Sequence, residues 1–190
     1  MSETSDIRAT AAHITLVHAA PEHAALLHAI FTGANTRKYS PVGTTTPAEL
    51  ARRLAQGGER FSERAPFYRF FGEVDGLLFG TYIAKRIDWE RREAEIGFSL
   101  LDEWQGRGLG TALVYKCTAK VFAESELNSL WATVSVTNEA SRRLMRRLGF
   151  EESGLHGTDF LIGGKPVPQM VYRMDRARAV RLFAGILNKD

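Results

Sequence analysis

The segment Gln105-Gly106-Arg107-Gly108-Leu109-Gly110 constrains this chain more than any other. Before it, Arg92 to Leu100 alternates with the period of a strand: Ala94, Ile96, Phe98 and Leu100 share one face, and Glu93, Glu95, Gly97 and Ser99 the other. After it, Leu109, Leu113, Cys117 and Val121 form one apolar stripe, so a helix is expected from Gly106 to about Ser125. A strand, a glycine-rich turn and a long helix in that order gather the first free N–H groups of the helix around one point, with the positive end of its dipole behind them. Glycine allows the backbone to turn that tightly, and a pyrophosphate suits such donors. The glycine spacing does not match the G-x-G-x-x-G dinucleotide fingerprint, and no Gly-Lys-Ser/Thr follows to make a P-loop. Taken alone, the segment also reads as a plain strand-to-helix turn.

The flanking pattern supplies a fold class. A strand at Ile14 to His18 precedes a helix from Glu22 to Gly33; Gly33 to Pro47, rich in Gly, Asn, Ser, Thr and Pro, reads as a loop. Thr46-Pro47 opens a short helix to about Gln56. Extended runs at Phe67 to Val74 and Leu77 to Ile87 flank Asp75-Gly76, a hairpin signal. Beyond the glycine segment come a strand at Leu130 to Val136, a helix at Asn138 to Leu148 and a strand at Phe150 to His156. Phe160 to Ile162 and Val167 to Met174 flank Gly163-Gly164 as a last hairpin, and a helix from Arg176 to Asn188 ends the chain. This is an α/β domain, and its central β-α-β unit should be parallel and right-handed. One domain over 1–190 is expected, with a core at 12–175 and a terminal helix at 176–190. That helix carries Val180, Phe183, Ala184 and Leu187 at helical spacing, and it may be read as packing on its own domain, as a homodimer contact or as a membrane-surface helix.

Composition narrows the function classes. The 190 residues are 44% hydrophobic and 25% charged, ordinary for a globular domain with its own core. Cys117 is the single cysteine, so no disulfide or cysteine–zinc cluster can form, which fits a reducing compartment. Its place on the helical stripe makes it a core residue. His13, His18, His23, His28 and His156 make no H-E-x-x-H pattern, and no metal is expected. Met1 to His13 lacks a signal-type apolar stretch and no run reaches the roughly 20 apolar residues of a membrane helix, so a cytoplasmic setting is expected. A net charge of +3 is too small to indicate nucleic acid. The clusters Arg142, Arg143, Arg146, Arg147 and Arg173, Arg176, Arg178, Arg181 read as solvated faces or as contacts to an anion.

Two segments together resemble a known family. Gln105 to Gly110 is similar to the Q/R-x-x-G-x-G/A loop of the GNAT superfamily of acyl-CoA-dependent N-acyltransferases. Asn138-Glu139-Ala140-Ser141-Arg142-Arg143-Leu144-Met145-Arg146-Arg147-Leu148-Gly149-Phe150 resembles that superfamily's second helix motif. With Glu93 to Phe98 before the loop, the chain most resembles the branch that acetylates N-terminal amines of ribosomal proteins. The resemblance spans about Phe67 to Met174. It implies a single GNAT-type domain: a mixed, mostly antiparallel sheet of six or seven strands, flanked by helices, with a splayed central parallel pair. It also implies acetyl-CoA as co-substrate and a primary amine as acceptor.

The resemblance distributes roles. The pyrophosphate would lie on backbone N–H groups of Gln105, Gly106, Arg107, Gly108, Leu109 and Gly110, and the pantetheine arm along Ile96, Gly97, Phe98, Ser99 and Leu100. Asn138 would contact that arm, besides suiting a helix N-cap. Ser141 matches the position proposed, in this branch, to protonate the departing thiolate; the alternative reading is a buried serine that bonds a local carbonyl. Arg143 or Arg147 would reach a CoA phosphate. Met145 stands where many members carry a tyrosine acid. For the base, the residues themselves point to Glu95, a carboxylate beside apolar strand neighbours. Trp104 reads as a packing anchor, and Tyr39 with Arg37 and Lys38 as a wall of the acceptor site or a plain connection. The acceptor expected is a protein N-terminal α-amine; the alternatives are a polyamine, an amino-acid derivative or an aminoglycoside. A non-catalytic acyl-CoA-binding module and an RNA- or ribosome-binding protein are the readings from other classes.

Overall fold

Asp75 and Gly76 both adopt positive φ (52° and 77°), the two-residue turn that matches the twist of antiparallel strands. They join β2 (Phe67–Val74) to β3 (Leu77–Asp88), paired from Phe67↔Lys85 to Val74↔Leu77. In this computed structural model, which describes residues 3–40, 45–156, 161–162 and 165–187, the hairpin is the nucleus of a seven-stranded sheet. β1 (Thr15–His18) lies antiparallel along β2, and β4 (Glu93–Leu100) antiparallel along β3. After α5 (Leu109–Glu124), β5 (Ser129–Ser135) returns parallel to β4. Then α6 (Glu139–Arg147) leads to β6 (Glu151–His156) at the far edge. The order is thus a mixed sheet with one parallel pair at its centre.

Each face of the sheet buries its own cluster. On one side Leu113, Cys117 and Val121 of α5 are fully buried with Phe70, Phe79 and Tyr82 of the sheet. Burial pushes the Cys117 thiol up, as suits an inert core residue. On the other side Leu27 and Ile30 of α2 (Ala24–Thr32) and Leu50 and Leu54 of α4 (Pro47–Leu54) close over Phe71. The start of α4 is a reciprocal cap: the Glu49 N–H donates to Thr46 Oγ1 at 3.3 Å and the Thr46 N–H donates to Glu49 Oε2 at 2.8 Å. We expect Thr46→Ala to lower the unfolding free energy by about 1 kcal/mol without changing the urea m-value, as an equilibrium titration would show.

Four expectations are corrected. Gly33 to Pro47 is not all loop, for α3 (Ala34–Tyr39) occupies its first half. Its first N–H groups are capped by a distant residue: Asp102 accepts from Ala34 N–H at 2.8 Å and from Asn35 N–H at 3.4 Å, so no local signal announces the helix. Met1 to His13 showed no element, yet α1 (Glu3–Ala12) packs on α5 through Ile7 and Ala11, too few apolar residues to register as a stripe. Lys116 Nζ secures it by donating to the carbonyls of Ala11 and Ile14.

The last hairpin is shorter than expected: β7 (Leu161–Ile162) pairs only with β8 (Lys165–Pro166), and Gly163-Gly164 lies outside the described residues. The chain then leaves, past Pro166 and Pro168, and β9 (Gln169–Asp175) inserts between β5 and β6, where Tyr172 and Met174 become core residues. In α7 (Arg176–Leu187) Val180 is exposed, and Ala179 and Phe183 make the contact with α5, the Phe183 ring lying 4.7 Å from that of Tyr115. The backbone leaves helical geometry at Phe183 (φ −112°), which re-phases the stripe; the side chains of Ala184 and Leu187 lie outside the described residues.

Candidate active site

The parallel ladder between β4 and β5 is short. It runs Glu93↔Ser129, Ala94↔Leu130, Glu95↔Trp131 and then stops. Each strand continues along its outer partner, Ile96 to Leu100 against β3 and Ala132 to Ser135 against β9. The backbone groups of Ile96 to Leu100 that face β5 therefore have no ladder partner, and a wedge opens in the sheet. This is the splay expected at the sheet centre.

Two cavities meet at that wedge. One, of about 790 Å³, lies between the start of α5 and α6; its wall includes Leu100, Gln105, Gly106, Gly108, Gly110 and Arg143. The other, of about 220 Å³, lies on the α2 side of the sheet and is lined by Arg69, Thr81, Lys85, Glu95, Ile96 and Gly97, among others. Tyr39, Ser40, Phe98, Ser99, Asn138 and Ser141 belong to both walls. A narrow passage thus joins a long groove to a small chamber.

The groove has the features of an anion site. Gly106 and Gly108 hold φ of 75° and 77°, the left-handed geometry that turns β4 into α5, and among the described residues none beyond their chain neighbours lies within 4 Å of where a Cβ would project. No side chain caps Gly108, and the first backbone bond of the turn is Ala112 N–H to Gly108 O at 3.2 Å. The N–H groups of Leu109, Gly110 and Thr111 thus have no intrahelical acceptor and point out of a sixteen-residue helix at its positive end. Arg143, Arg146 and Arg147 of α6 stand along the opposite wall. Arg146 is held by Glu152, its Nη1 2.9 Å from Oε1; the uncapped helix start, the open space and Arg143 fit the diphosphate of a CoA.

Other residues of the segment brace it. The Gln105 side chain donates to Leu100 O at 3.3 Å and to Asp102 Oδ1 at 3.2 Å. Arg107 stacks back on Trp104, 5.3 Å from its ring, and Trp104 in turn packs on Phe79. Leu109 packs against the core. The side chains of Arg107 and Leu109 therefore turn away from the groove, leaving only their backbone for an anion.

On α6, Asn138 is the N-cap, its Oδ1 accepting from Ser141 N–H at 3.1 Å, and it also lines both cavities. The Ser141 hydroxyl lies at the junction and hydrogen-bonds to no described residue, so it is not tied to a local carbonyl. Met145 is fully buried in the core and absent from both walls. Met145 is thus an interior residue, and Ser141 is one of four described hydroxyl-bearing residues, with Tyr39, Ser40 and Ser99, that line both cavities.

Glu95 is not a solvent-facing strand residue. It is 5% exposed and sits between Lys85 Nζ at 3.4 Å and Arg86 Nη1 at 3.0 Å, while its buried Oε2 lacks a partner in hydrogen-bonding geometry. Tyr39 lines both cavities from α3; Arg37 and Lys38 are on the same helix but outside the lining. Sequence reasoning passed over Arg69, Thr81 and Lys85. The available signal was period two: these side chains interrupt otherwise apolar strands at positions that register onto the Glu95–Gly97–Ser99 face. Among the described residues no group of three metal-ligating side chains occurs, and no helix is long and apolar enough to cross a membrane.

A glycine loop at an uncapped helix start, next to a parallel pair that splays, defines an acyl-CoA N-acyltransferase architecture. Residues 13–151 match the family described as Acetyltransferase (GNAT) domain, and the chain belongs to that family. Over 80 residues it is 39% identical to YdaF of Bacillus subtilis, whose name provisionally describes a ribosomal N-acetyltransferase; the match covers 42% of this chain and 44% of the relative. The chain spans about half the length of the first curated relatives it matches. Among solved structures, a spermidine N-acetyltransferase from Vibrio cholerae in complex with CoA and spermine superposes with a TM-score of 0.78 at 20% identity, covering 89% of this chain and 99% of that one. A ribosomal-protein-S5-alanine acetyltransferase from Vibrio fischeri gives 0.77 at 20% identity, covering 86% and 93%. The fold is common to all of these; the acceptors their names give differ.

Proposed function

We propose that the chain transfers an acetyl group from acetyl-CoA to a primary amine, and that the amine is the N-terminal α-amine of a protein or peptide. The observation that carries this reading is the junction of groove and chamber at the end of the β4–β5 ladder. A co-substrate held in the groove and an acceptor entering the chamber meet only there, and holding both in register supplies much of the rate. Acetyl-CoA supplies the activated thioester. The chain's own part is then to bind, orient and move protons. Leu109, Gly110 and Thr111 N–H groups with Arg143 hold phosphate, the unpaired edge of Ile96 to Leu100 aligns the arm, and a backbone N–H near Phe98 polarises the carbonyl. Glu95, ion-paired with Lys85 and Arg86, takes the proton from the amine, and Ser141 donates a hydrogen bond to the departing sulfur.

An α-amine of pKa ~8 is partly neutral near pH 7, whereas an alkylammonium near ~10.4 is not, so a modest base suffices for the former. The chamber also carries two cations, Arg69 and Lys85, against one carboxylate, Glu95, which disfavours a multiply charged polyamine. The solved relative that binds spermine keeps the polyamine as the second reading. A cytoplasmic setting belongs to the same proposal and agrees with a free, buried Cys117. The test is CoA release with an alanine-starting peptide or with spermidine as acceptor. We expect kcat/KM at least about tenfold higher for the peptide, one step of roughly 1.4 kcal/mol in transition-state binding; a faster reaction with spermidine would replace this acceptor by the polyamine. For Ser141→Ala we expect turnover to fall about tenfold or more with acetyl-CoA affinity within about twofold, since a single positioned acid contributes at least that much. Equal turnover would return Ser141 to a purely structural role.

A further inference from the structure

Arg69 stands out among the residues that line the chamber. It projects from the middle of β2 toward α2, its Nη1 donating to Thr81 Oγ1 at 3.0 Å and its guanidinium 5.7 Å from the Phe31 ring. Thr81 is itself fixed, because its hydroxyl donates to Phe70 O at 3.2 Å and so turns its lone pairs toward Arg69. The guanidinium is thus oriented from two sides. Yet among the described residues no carboxylate pairs with it. Glu95, the one carboxylate among the described residues of the chamber wall, is already held by Lys85 and Arg86.

Burial draws the Arg69 guanidinium down to about 10, which still leaves it charged at neutral pH. An oriented, half-buried guanidinium with spare donors is suited to a planar anion, which it engages through two parallel N–H bonds. The chamber, at about 220 Å³, is smaller than the roughly 300–1,000 Å³ of a drug-sized site, so only the end of an acceptor enters. An anion on Arg69 must therefore lie close to the amine that reacts.

We propose that Arg69 is a specificity-determining residue that binds a carboxylate of the acceptor, so that the preferred substrate carries an amine and a carboxylate close together. The inference rests on the transferase reading above and names the acceptor's second recognition element. A peptide N-terminus followed by an acidic residue and a free amino acid both present this chemistry.

The experiment compares peptides Ala-Asp-Ala-Ala and Ala-Asn-Ala-Ala, amidated at the C-terminus, together with free aspartate and its diamide. CoA release is measured for the intact chain and for Arg69→Gln, with thermal unfolding in CoA as a check that each folds and binds. We expect the intact chain to prefer the charged member of at least one pair by about 10- to 100-fold in kcat/KM, the range of a charge-assisted bond. The pair that responds identifies a peptide or an amino acid as the source. Arg69→Gln should bring the ratio to about one, whereas loss of a merely structural contact would lower both rates alike and keep the ratio. Should Arg69→Gln not fold, Arg69→Lys decides: an intermediate ratio supports a fork-shaped anion site, and an unchanged ratio overturns it. Transfer that is blind to acceptor charge in the intact chain overturns the role of Arg69 alone. CoA binding with no transfer to any of the acceptors overturns the transferase reading, and this inference with it.

Discussion

Gly108→Glu is expected to lower CoA affinity by at least about 100-fold, close to 2.7 kcal/mol. Two causes act together. The native φ of 77° lies in the left-handed region, which costs a residue with a Cβ about 1–2 kcal/mol. The carboxylate also places a negative charge where the uncapped N–H groups of α5 converge. The fold should survive, because among the described residues none beyond the chain neighbours lies within 4 Å of the site where the new side chain begins. Thermal unfolding reads the result: CoA at 100 times its dissociation constant adds about 2.7 kcal/mol to the native state, a rise of roughly 5–11 °C for a chain of this size. The same CoA concentration should add about 0.4 kcal/mol or less to Gly108→Glu, a rise of under about 2 °C. Gly108→Ala, which strains the backbone without adding charge, should keep most of the native rise. An undiminished rise in Gly108→Glu would mean that CoA binds elsewhere and that the segment is only a turn.

Glu95→Gln is expected to cut kcat/KM for the amine acceptor by about 10²–10³-fold, within the usual contribution of a general base, and to leave acetyl-CoA affinity within about twofold. Stability should change by less than about 1 kcal/mol, because the partners Lys85 and Arg86 have side chains 39% and 67% exposed and return to water when the carboxylate is neutralised. A rate within about threefold of the native value would make Glu95 an ion-pair partner only, with water removing the proton.

Where a structural cause was local, it was legible in the residues. The alternation of Ala94 to Leu100, the Asp75-Gly76 turn, the Thr46-Pro47 cap and the stripe of α5 each appear where the pattern placed them, since each is decided by neighbours within one or two turns of chain. The glycine segment and Asn138 belong to this group. Elements stabilised from a distance were not legible. α3 is capped by Asp102, α1 is held by α5, and β9 is drawn from its expected hairpin into the gap between β5 and β6, where Tyr172 and Met174 are buried.

The site divides along the same line. One face of β4 was readable from its period, so Glu95, Gly97 and Ser99 were already together in the sequence. Whether that face met water or a chamber was not, and the answer came from α2 and α3 covering it while β5 turned away after Trp131. That closure buries Glu95 between two cations and brings Arg69 from β2 and Ser141 from α6 to the same chamber wall. The amino-acid sequence by itself determined the glycine-lined helix start and the β-α-β frame, because backbone propensity and short-range periodicity act within a few residues. Only the tertiary structure decided which charges share the chamber, because electrostatic and steric neighbours across a sheet are set by register and by the elements that cover it.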